Sequence, residues 1–403
     1  MRHLGRRGIV ALAAAALVAA AMPSATPTGA APAGAKRIAF LVDSWYPWSH
    51  ADVIGTRFLA GYRVGDRTVA SPLGIASVYT DAPRATDQTR ALGARHGFRI
   101  AGSIAEALLA DPGAARPRLD ADGVLVATRE DLPDSGQPQS PRRRVEVMRE
   151  VYRLLDLTGA RVPVFVDKML AASWQDSQAI TSEAARRGIP LMAGSVLPFT
   201  PLSRPLHSAG VQVGVVVAST PYWAFGFHAA ELLQGFMEQR AARETGVREV
   251  REVGAGYWTM PDREGWGGRV MDALLASPRT GRGGGGPVRG DARVLLITYA
   301  DGARGVLALV PDRFDDSEFL LGAQYGDGTV ATSGLVLGGQ PYDHFGYLVH
   351  ALVQLYTTGR SPVPVERTLL STAIVIAGVQ AARFGQPVRD PALAVSYTPP
   401  RGP

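Results

Sequence analysis

The sequence has no cysteine, and only two of its 42 basic residues are lysines, Lys36 and Lys168. Without cysteine the chain has no disulfide, no cysteine nucleophile, no Cys-ligated zinc and no iron–sulfur cluster. A Walker A phosphate loop needs a glycine directly before its lysine, but Ala35 and Asp167 stand there instead. The sequence also lacks a Gly-x-Ser-x-Gly elbow and a His-Glu-x-x-His motif, so it gives no support for a common serine hydrolase or zinc protease.

Length and composition are those of a globular chain with room for two ordinary domains. The chain has 403 residues, of which 46% are hydrophobic and 19% charged, and its formal net charge is +6. It has no run of basic residues interleaved with aromatic ones, so nucleic acid is not an expected partner.

The N-terminus predicts an export signal. Arg2, Arg6 and Arg7 precede an apolar run over residues 8–21, and a stretch rich in Pro, Ala, Thr and Gly follows. The run is shorter than the roughly 20 residues that a membrane span needs. We expect residues 1–35 to be a cleavable signal and linker, for twin-arginine or general secretory export, which places the mature protein in the periplasm or outside the cell. Cleavage of this segment would remove three arginines and no acidic residue, so the net charge of the protein would fall from +6 to +3.

Residues 36–200 predict an α/β domain with a Rossmann-like parallel sheet. Short runs that are apolar on both faces alternate with segments of helical spacing, which is typical of strands buried between helices. The predicted strands are 38–43, 75–80, 122–127, 162–166 and 189–193.

Residues 201–403 predict an α+β domain for substrate binding and oligomerisation. Asp-Gly pairs at 301–302 and 327–328 mark turns between strands, so we expect an open, mostly antiparallel sheet with helices on one side. The predicted strands are 211–218, 293–299, 304–311 and 318–324, and the predicted helices are about 222–242, 342–358 and 366–384.

Several segments together resemble the Gfo/Idh/MocA family of glucose–fructose oxidoreductases and inositol dehydrogenases. The best stretch is VPVFVDKMLAASWQDSQAITSEAARRGIPLMAGSVLPF at 162–199, and ALGARHGFRIAGSIAEALL at 91–109 and YADGARGVLAL at 299–309 add to it. The end, FGYLVHALVQLYTTGRSPVPVERTLLSTAIVIAGVQAARFGQPV, resembles the last two helices of the family. The order and spacing of these pieces extend the resemblance over nearly the whole mature chain.

The resemblance implies NAD or NADP as cofactor and oxidation of a sugar, polyol or glycoside hydroxyl. Asp167, Lys168 and Met169 occupy the family's Glu-Lys-Pro positions, which implies that Lys168 touches the substrate hydroxyl and the nicotinamide end. His228 falls where the family has its proton shuttle, although Ala224 replaces the Asp that often precedes it. Members commonly form dimers or tetramers, so a homo-oligomer is also expected.

The residues themselves favour Lys168 and His228 as the catalytic pair. Lys168 follows a buried strand at the sheet edge where open α/β folds bind ligands, and a lone internal lysine offers a charge with a shiftable pKa. The pKa of histidine near neutrality suits proton transfer by His228. A structural ion pair for Lys168 and a structural helix position for His228 remain the alternatives. Glu231 lies on the same helix face as His228 and is a candidate substrate ligand; since a His-x-x-Glu pair shows no third ligand, no metal site is predicted.

The dinucleotide motif of the family is missing. Its Gly-x-Gly-x-x-Gly positions fall on Val42, Ser44 and Pro47, none of which is glycine. Glycines there let backbone amides approach a pyrophosphate, and proline has no N–H. The motif recurs at residues 281–286, but it follows no strand there.

A reshaped loop, SWYPW, stands where the motif should be. The candidate cofactor-binding residues are therefore Ser44, Trp45, His50, Asp81 and Asp167. For Asp81, the alternative to binding the adenosine ribose is an acidic residue in a surface turn. His50 could line the pocket or cap its helix. Trp45 could line the pocket or pack against the face of the domain.

Tyr222 is a candidate substrate ligand or a core residue. Three functions stay open: an exported NAD(P)-dependent oxidoreductase, a cofactor-independent carbohydrate-binding protein or acid/base lyase on the same fold, and a scaffold without activity.

Overall fold

The structure is a computed structural model that describes residues 34–130, 140–220, 222–276, 278, 280 and 290–400, without the side chains of residues 223–225. All but the last two residues of the expected export signal, and the glycine motif at 281–286, lie outside the described residues.

Fourteen strands and nine helices are defined in the described part of the chain. The first half contains β1 (Lys36–Val42), α1 (His50–Ala60), β2 (Tyr62–Val64), β3 (Arg67–Val69), β4 (Leu73–Thr80), α2 (Thr89–His96), β5 (Arg99–Ala101), α3 (Ile104–Leu108), β6 (Gly123–Ala127), α4 (Arg144–Thr158), β7 (Val164–Asp167), α5 (Trp174–Arg187) and β8 (Leu191–Gly194). The second half contains β9 (Val211–Ala218), α6 (Tyr222–Met237), β10 (Val247–Glu252), α7 (Gly268–Ala276), β11 (Arg293–Tyr299), β12 (Arg304–Leu309), β13 (Glu318–Tyr325), β14 (Val330–Val336), α8 (Phe345–Thr358) and α9 (Val365–Phe384).

The first sheet is parallel throughout, as the sequence predicts, with strand order β5-β4-β1-β6-β7-β8. Five consecutive residues of β1, Ile38 to Val42, have no exposed surface, so both faces of the sheet are covered. The strand order reverses at β1, because β4 lies on one side of it and β6 on the other. The carboxyl ends of β1 and β6 therefore meet at the topological switch point, where folds of this type bind ligands.

The second sheet is mostly antiparallel, as predicted, with strand order β10-β11-β12-β9-β13-β14 and one parallel pair, β9 with β12. The predicted Asp-Gly turns do connect β11 to β12 and β13 to β14. The expectation of helices on one side is wrong. Val215 and its alternate neighbours pack with α7 and Trp266 on one face, while on the other face α6 packs against β9 and α9 against β10.

The last two long helices return to the first half of the chain. The Tyr356 hydroxyl of α8 donates to the Val124 carbonyl of β6 at 2.9 Å, and α9 packs against β8, β10, α5 and α6. By length and composition α9 could cross a membrane, but 67% of its most apolar window is buried within the protein. We therefore describe α9 as a core helix. The boundary predicted at residue 200 separates the two sheets but not the helices that pack on them.

Candidate active site

A cleft of about 600 Å³ opens beside the switch point of the first sheet. It lies between the start of α1, the middle of α6, the start of α8 and the loops that flank β13 and β14. Three of the seven histidines of the chain, His50, His228 and His344, line it. Trp48 and Tyr342 form an aromatic wall, with ring centroids 5.6 Å apart in an edge-to-face arrangement.

Asp167 and His50 form a buried pair at this site. Asp167 ends β7 and is 4% exposed, and its Oδ1 lies 2.9 Å from His50 Nδ1. Burial alone would raise the pKa of Asp167, but His50, Lys168 and Arg144 together hold it at about 2. Burial lowers the pKa of His50 below its usual value, although Asp167 opposes that shift. An ionised carboxylate thus faces a neutral imidazole at neutral pH.

Lys168 follows Asp167 in a left-handed backbone conformation with φ of 67°. Its backbone N–H donates to the Gly194 carbonyl at 3.1 Å, which ties the ends of β7 and β8 together. Trp48 and Tyr342, on the cleft wall, also have positive φ, 67° and 60°. Such conformations cost free energy and cluster at functional sites. The positive charge of Lys168 contributes to lowering the pKa of both His50 and His228.

His228 is held from behind by Ser195, the residue after β8. His228 Nδ1 lies 2.6 Å from Ser195 Oγ, and Ser195 Oγ also accepts the Leu197 N–H at 3.1 Å. Burial first, then Lys168, lowers the pKa of His228 to about 3. Ser195 takes the place of the orienting carboxylate that the resemblance leads one to expect near this histidine.

Glu231 lies behind Ser195 and does not line the cleft, so its expected substrate contact is wrong. The Ser195 N–H donates to Glu231 Oε2 at 3.3 Å, while the buried Oε1 has no hydrogen-bond partner. Burial raises the pKa of Glu231 to about 7. Gly194 is required here because a Cβ at that position would collide with this carboxyl group and with Thr368 Oγ1.

Two other expected site residues belong to the core. Trp45 has no exposed surface and stacks between Phe40 and Phe98, with centroids 5.9 Å from each, so it cannot line a cofactor pocket. Tyr222 is 7% exposed and its hydroxyl donates to the Val375 carbonyl at 2.7 Å, so it does not reach substrate in the cleft. Both side chains follow the packing alternative that the sequence left open.

Four backbone amides of the loop after β1 donate to protein acceptors. Asp87 Oδ2 accepts from the Trp45 N–H and the Ser44 hydroxyl, both at 2.7 Å. Ser49 caps α1 by accepting the Asp52 N–H, so His50 is not the cap. Three further loop amides have protein acceptors: Tyr46 N–H donates to Ser49 Oγ, Trp48 N–H to Asp52 Oδ2 and Ser49 N–H to the Tyr46 carbonyl.

Two buried polar atoms at the same sheet edge have no hydrogen-bond partner. They are Oδ2 of Asp81, directly after β4, and Oγ1 of Thr128, directly after β6. Asp81 Oδ1 accepts the Tyr79 hydroxyl at 2.8 Å, so one carboxylate oxygen is fixed while the other can accept a further donor. At the same sheet edge, Arg144 donates to the carbonyls of Thr128 and Met169 and so links the ends of β6 and β7.

The structure therefore brings together Asp167, Lys168, His50 and His228, and it adds residues that the sequence did not single out. Ser195 is one, and its only sequence signal is its place after the glycine turn that ends β8. His344, directly before α8, is another. Asp343 pairs with Arg57, and His344 faces the cleft with an unpartnered Nδ1. Within the described residues no group of three or more His, Asp or Glu could hold a metal ion.

Comparison with known proteins places this geometry in a known fold. No family model and no curated protein sequence matches the chain. GenD2 from gentamicin A biosynthesis, solved in complex with NAD, matches with a TM-score of 0.58 at 16% identity, over 88% of this chain and 96% of GenD2.

Two further solved structures agree. A myo-inositol dehydrogenase from Corynebacterium glutamicum matches with a TM-score of 0.53 at 13% identity, over 88% of this chain and 98% of that one. An aldose-aldose oxidoreductase from Caulobacter crescentus, complexed with glycerol, gives 0.50 at 14% identity, over 88% and 100%. The resemblance to the Gfo/Idh/MocA family is thus confirmed for the fold.

Proposed function

We propose that this protein is an oxidoreductase that acts on a hydroxyl of a sugar, polyol or glycoside, with NAD or NADP as cofactor. One observation carries the proposal: His50 and His228 line one cleft, Asp167 pairs with His50 behind it, and the charge of the adjacent Lys168 acts on both imidazoles. The wall formed by Trp48 and Tyr342 offers aromatic faces of the kind on which sugar rings stack. The similar solved structures include a myo-inositol dehydrogenase and an aldose-aldose oxidoreductase, which supports this class of substrate.

The residues present fit the two ends of a dinucleotide, but they do not fit its diphosphate in the family's usual way. At the adenosine end, Asp81 keeps a buried unpartnered oxygen at the place where an acid binds the ribose hydroxyl. At the other end, His228 lines the cleft, and the charge of Lys168 lowers its pKa. The loop between them does not fit the family's phosphate cradle, since four of its amides are bound to the protein and two of their acceptors are the carboxylates of Asp52 and Asp87.

We therefore expect the diphosphate to bind side chains next to the loop after β1 rather than its backbone amides. Arg84 is exposed there; its N–H donates to Ser44 Oγ and its guanidinium lies 4.5 Å above the Tyr46 ring. Arginine suits phosphate because its planar group donates two hydrogen bonds at once. Hydride transfer is the chemistry that a nicotinamide cofactor supplies when bound. The protein's own residues orient the substrate and move its hydroxyl proton.

The arrangement of the loop favours a second candidate function. Because four of the loop amides are already bonded and two of their acceptors are carboxylates, the same cleft would serve a cofactor-independent carbohydrate-binding protein or an acid/base lyase. Such a protein would bind sugars in the cleft without any contribution from Asp81 or Arg84.

Export and self-association are also proposed. Export rests on the sequence of residues 1–35 alone. A homo-oligomer would have to use a surface other than the faces of the second sheet, since both are covered by the chain's own helices in the part that the structure describes.

The experiment is polyol-dependent formation of NADH or NADPH by the full chain, measured at 340 nm with myo-inositol, sorbitol, glucose and glycerol. We expect oxidation of at least one of them with one nucleotide, and a loss of activity in Lys168→Ala. Asp81→Asn should raise the KM for the nucleotide about tenfold, the effect of one hydrogen bond to a charged group. The matched control, Asp66→Asn at the exposed β2–β3 turn, should leave it unchanged. Reduction of neither nucleotide by any polyol would contradict the proposal.

A further inference from the structure

His50 and His228 face the same cleft, but their Nδ1 atoms have opposite kinds of partner. His50 Nδ1 lies 2.9 Å from Asp167 Oδ1 and 2.8 Å from Oδ2. An ionised carboxylate has no hydrogen to donate, so it can only accept. His50 Nδ1 must therefore carry the ring hydrogen, which leaves the lone pair of the neutral imidazole on Nε2.

At His228 the roles are the opposite of those at His50: the partner group donates the hydrogen bond and the ring nitrogen accepts it. Ser195 Oγ already accepts the N–H of Leu197 at 3.1 Å, and the hydroxyl has one hydrogen of its own to donate. Ser195 is buried, and among the described residues the acceptor within hydrogen-bond distance of its hydroxyl is His228 Nδ1, 2.6 Å away. Nδ1 of His228 therefore holds the lone pair, and the hydrogen of the neutral ring is on Nε2.

The surroundings keep both rings neutral near pH 7. Burial lowers the pKa of His50, assisted by Lys168 and Arg144 and opposed by Asp167. Burial also lowers the pKa of His228, assisted by Lys168, His50 and His344 and opposed by Asp167. From α8, the Phe345 ring packs edge-on against His50, with centroids 5.2 Å apart. The two tautomers are thus fixed by their partners rather than by protonation.

We infer that His50 is the general base of this cleft and that His228 is a neutral hydrogen-bond donor to the substrate oxygen. This inference deepens the proposed function and rests on it, because it requires a substrate hydroxyl in the cleft. It reverses the expected role of His228 as the group that takes the proton, and it moves His50 from cofactor binding to catalysis.

The proton transfer follows from the two tautomers. The O–H bond of the substrate breaks and a new N–H bond forms at His50 Nε2, while the electron pair stays on the substrate oxygen. The His228 Nε2–H and the Lys168 ammonium stabilise the charge that develops there. Asp167 stabilises the imidazolium of His50, which returns its proton to solvent through the open cleft. Ser195 is a positioning residue, because it acts only through His228.

Long-range ¹H–¹⁵N correlation spectra of the full chain, labelled at histidine and recorded at pH 7.5, read the tautomers directly. His50→Gln and His228→Gln assign the two signals. We expect hydrogen on Nδ1 of His50 and on Nε2 of His228. Ser195→Ala should turn His228 into a mixture of tautomers, Ser195→Thr should restore a single one, and neither should alter His350 on the far side of α8. The same tautomer for both histidines, or a reversed assignment, would overturn the inference.

Activity separates a failure of the inference from a failure of the proposed function. With a polyol that the wild type oxidises, His50→Gln should lower kcat/KM by about 10²- to 10⁴-fold, the range for a general base. Oxidation at the wild-type rate by His50→Gln would overturn the role of His50 and leave the proposed function intact. If the wild type oxidises no polyol, the proposed function fails, while the spectra still decide the tautomers.

Discussion

The Asp167 carboxylate lies 2.9 Å from Nδ1 of His50, although 117 residues separate the two in the sequence. Asp167 ends β7 and His50 begins α1, and the two elements meet because β7 lies two strands from β1 in the parallel sheet. This pair places an imidazole with a free Nε2 at the cleft, and it underlies both the proposed function and the role of His50 as base.

The pair should make stability depend on pH in the acid range. The pKa of Asp167 is about 2 in the folded protein, against 3.8 as its ordinary value, so its contribution is complete above pH 3.8 and is lost as pH falls through about 2. The shift corresponds to roughly 2 kcal/mol. Urea unfolding between pH 5 and pH 2.5 should show a steeper loss for wild type than for Asp167→Asn. Parallel losses would show that the pair adds no stability.

Glu231 should make stability depend on pH in the opposite direction from Asp167. Its pKa is raised from 4.5 to about 7, so its contribution is present below pH 4.5 and is lost as pH rises through 7. Glu231→Gln should therefore match wild type at pH 4.5 and exceed it by up to about 3 kcal/mol at pH 8. Glu183→Gln, at an exposed glutamate that pairs with Arg187, should gain nothing at pH 8. Chemical denaturation at both pH values makes the comparison, and a variant less stable than wild type at pH 8 would refute it.

Two neighbouring tryptophans should separate stability from ligand binding. Trp45 is fully buried, so Trp45→Ala should cost about 3–5 kcal/mol of unfolding free energy. Trp48 is 37% exposed on the cleft wall, so Trp48→Ala should cost under about 1 kcal/mol while raising the KM for the polyol severalfold. Denaturant unfolding and steady-state kinetics on both variants test this. A wild-type KM in Trp48→Ala would remove the aromatic wall from the substrate site.

The phosphate contact assigned to Arg84 can be tested without a substrate. Arg84→Ala should weaken nucleotide binding at low salt by about tenfold, and the difference should shrink as ionic strength rises, because exposed charges are screened. Arg67→Ala, at the exposed hairpin, is the matched control. Equal affinity for wild type and Arg84→Ala would place the phosphates elsewhere on the protein.

The sequence predicts the parallel sheet well because its strands are continuous apolar runs buried on both faces. It does not reveal β2, β3 and β5, which are three residues each, or β10 (Val247–Glu252), in which charged residues outnumber and separate two buried valines. The missed α7 explains the error about the second sheet, since it covers the face that was expected to be free.

The candidate site was predicted in part. Rarity and resemblance single out Lys168 and His228; Lys168 directly follows β7 and His228 lies on α6, and their catalytic roles stay predictions. Trp45 and Tyr222 were ambiguous, because an aromatic residue near a loop packs in a core as readily as in a cleft. The Ser195–His228 contact joins a turn after β8 to the middle of α6, and no spacing in the sequence encodes it.

The most direct test of the account is a calorimetric titration of NAD⁺ and NADP⁺ into the natively purified full chain, after removal of any nucleotide that denaturation of a sample releases. The account predicts one-to-one binding of at least one nucleotide with a Kd below 1 mM, which corresponds to roughly −4 kcal/mol, and weaker binding by Asp81→Asn and Arg84→Ala. Absence of binding by both nucleotides up to millimolar concentration would contradict it, and binding of a sugar or polyol by the same sample would then favour the cofactor-independent function of this cleft.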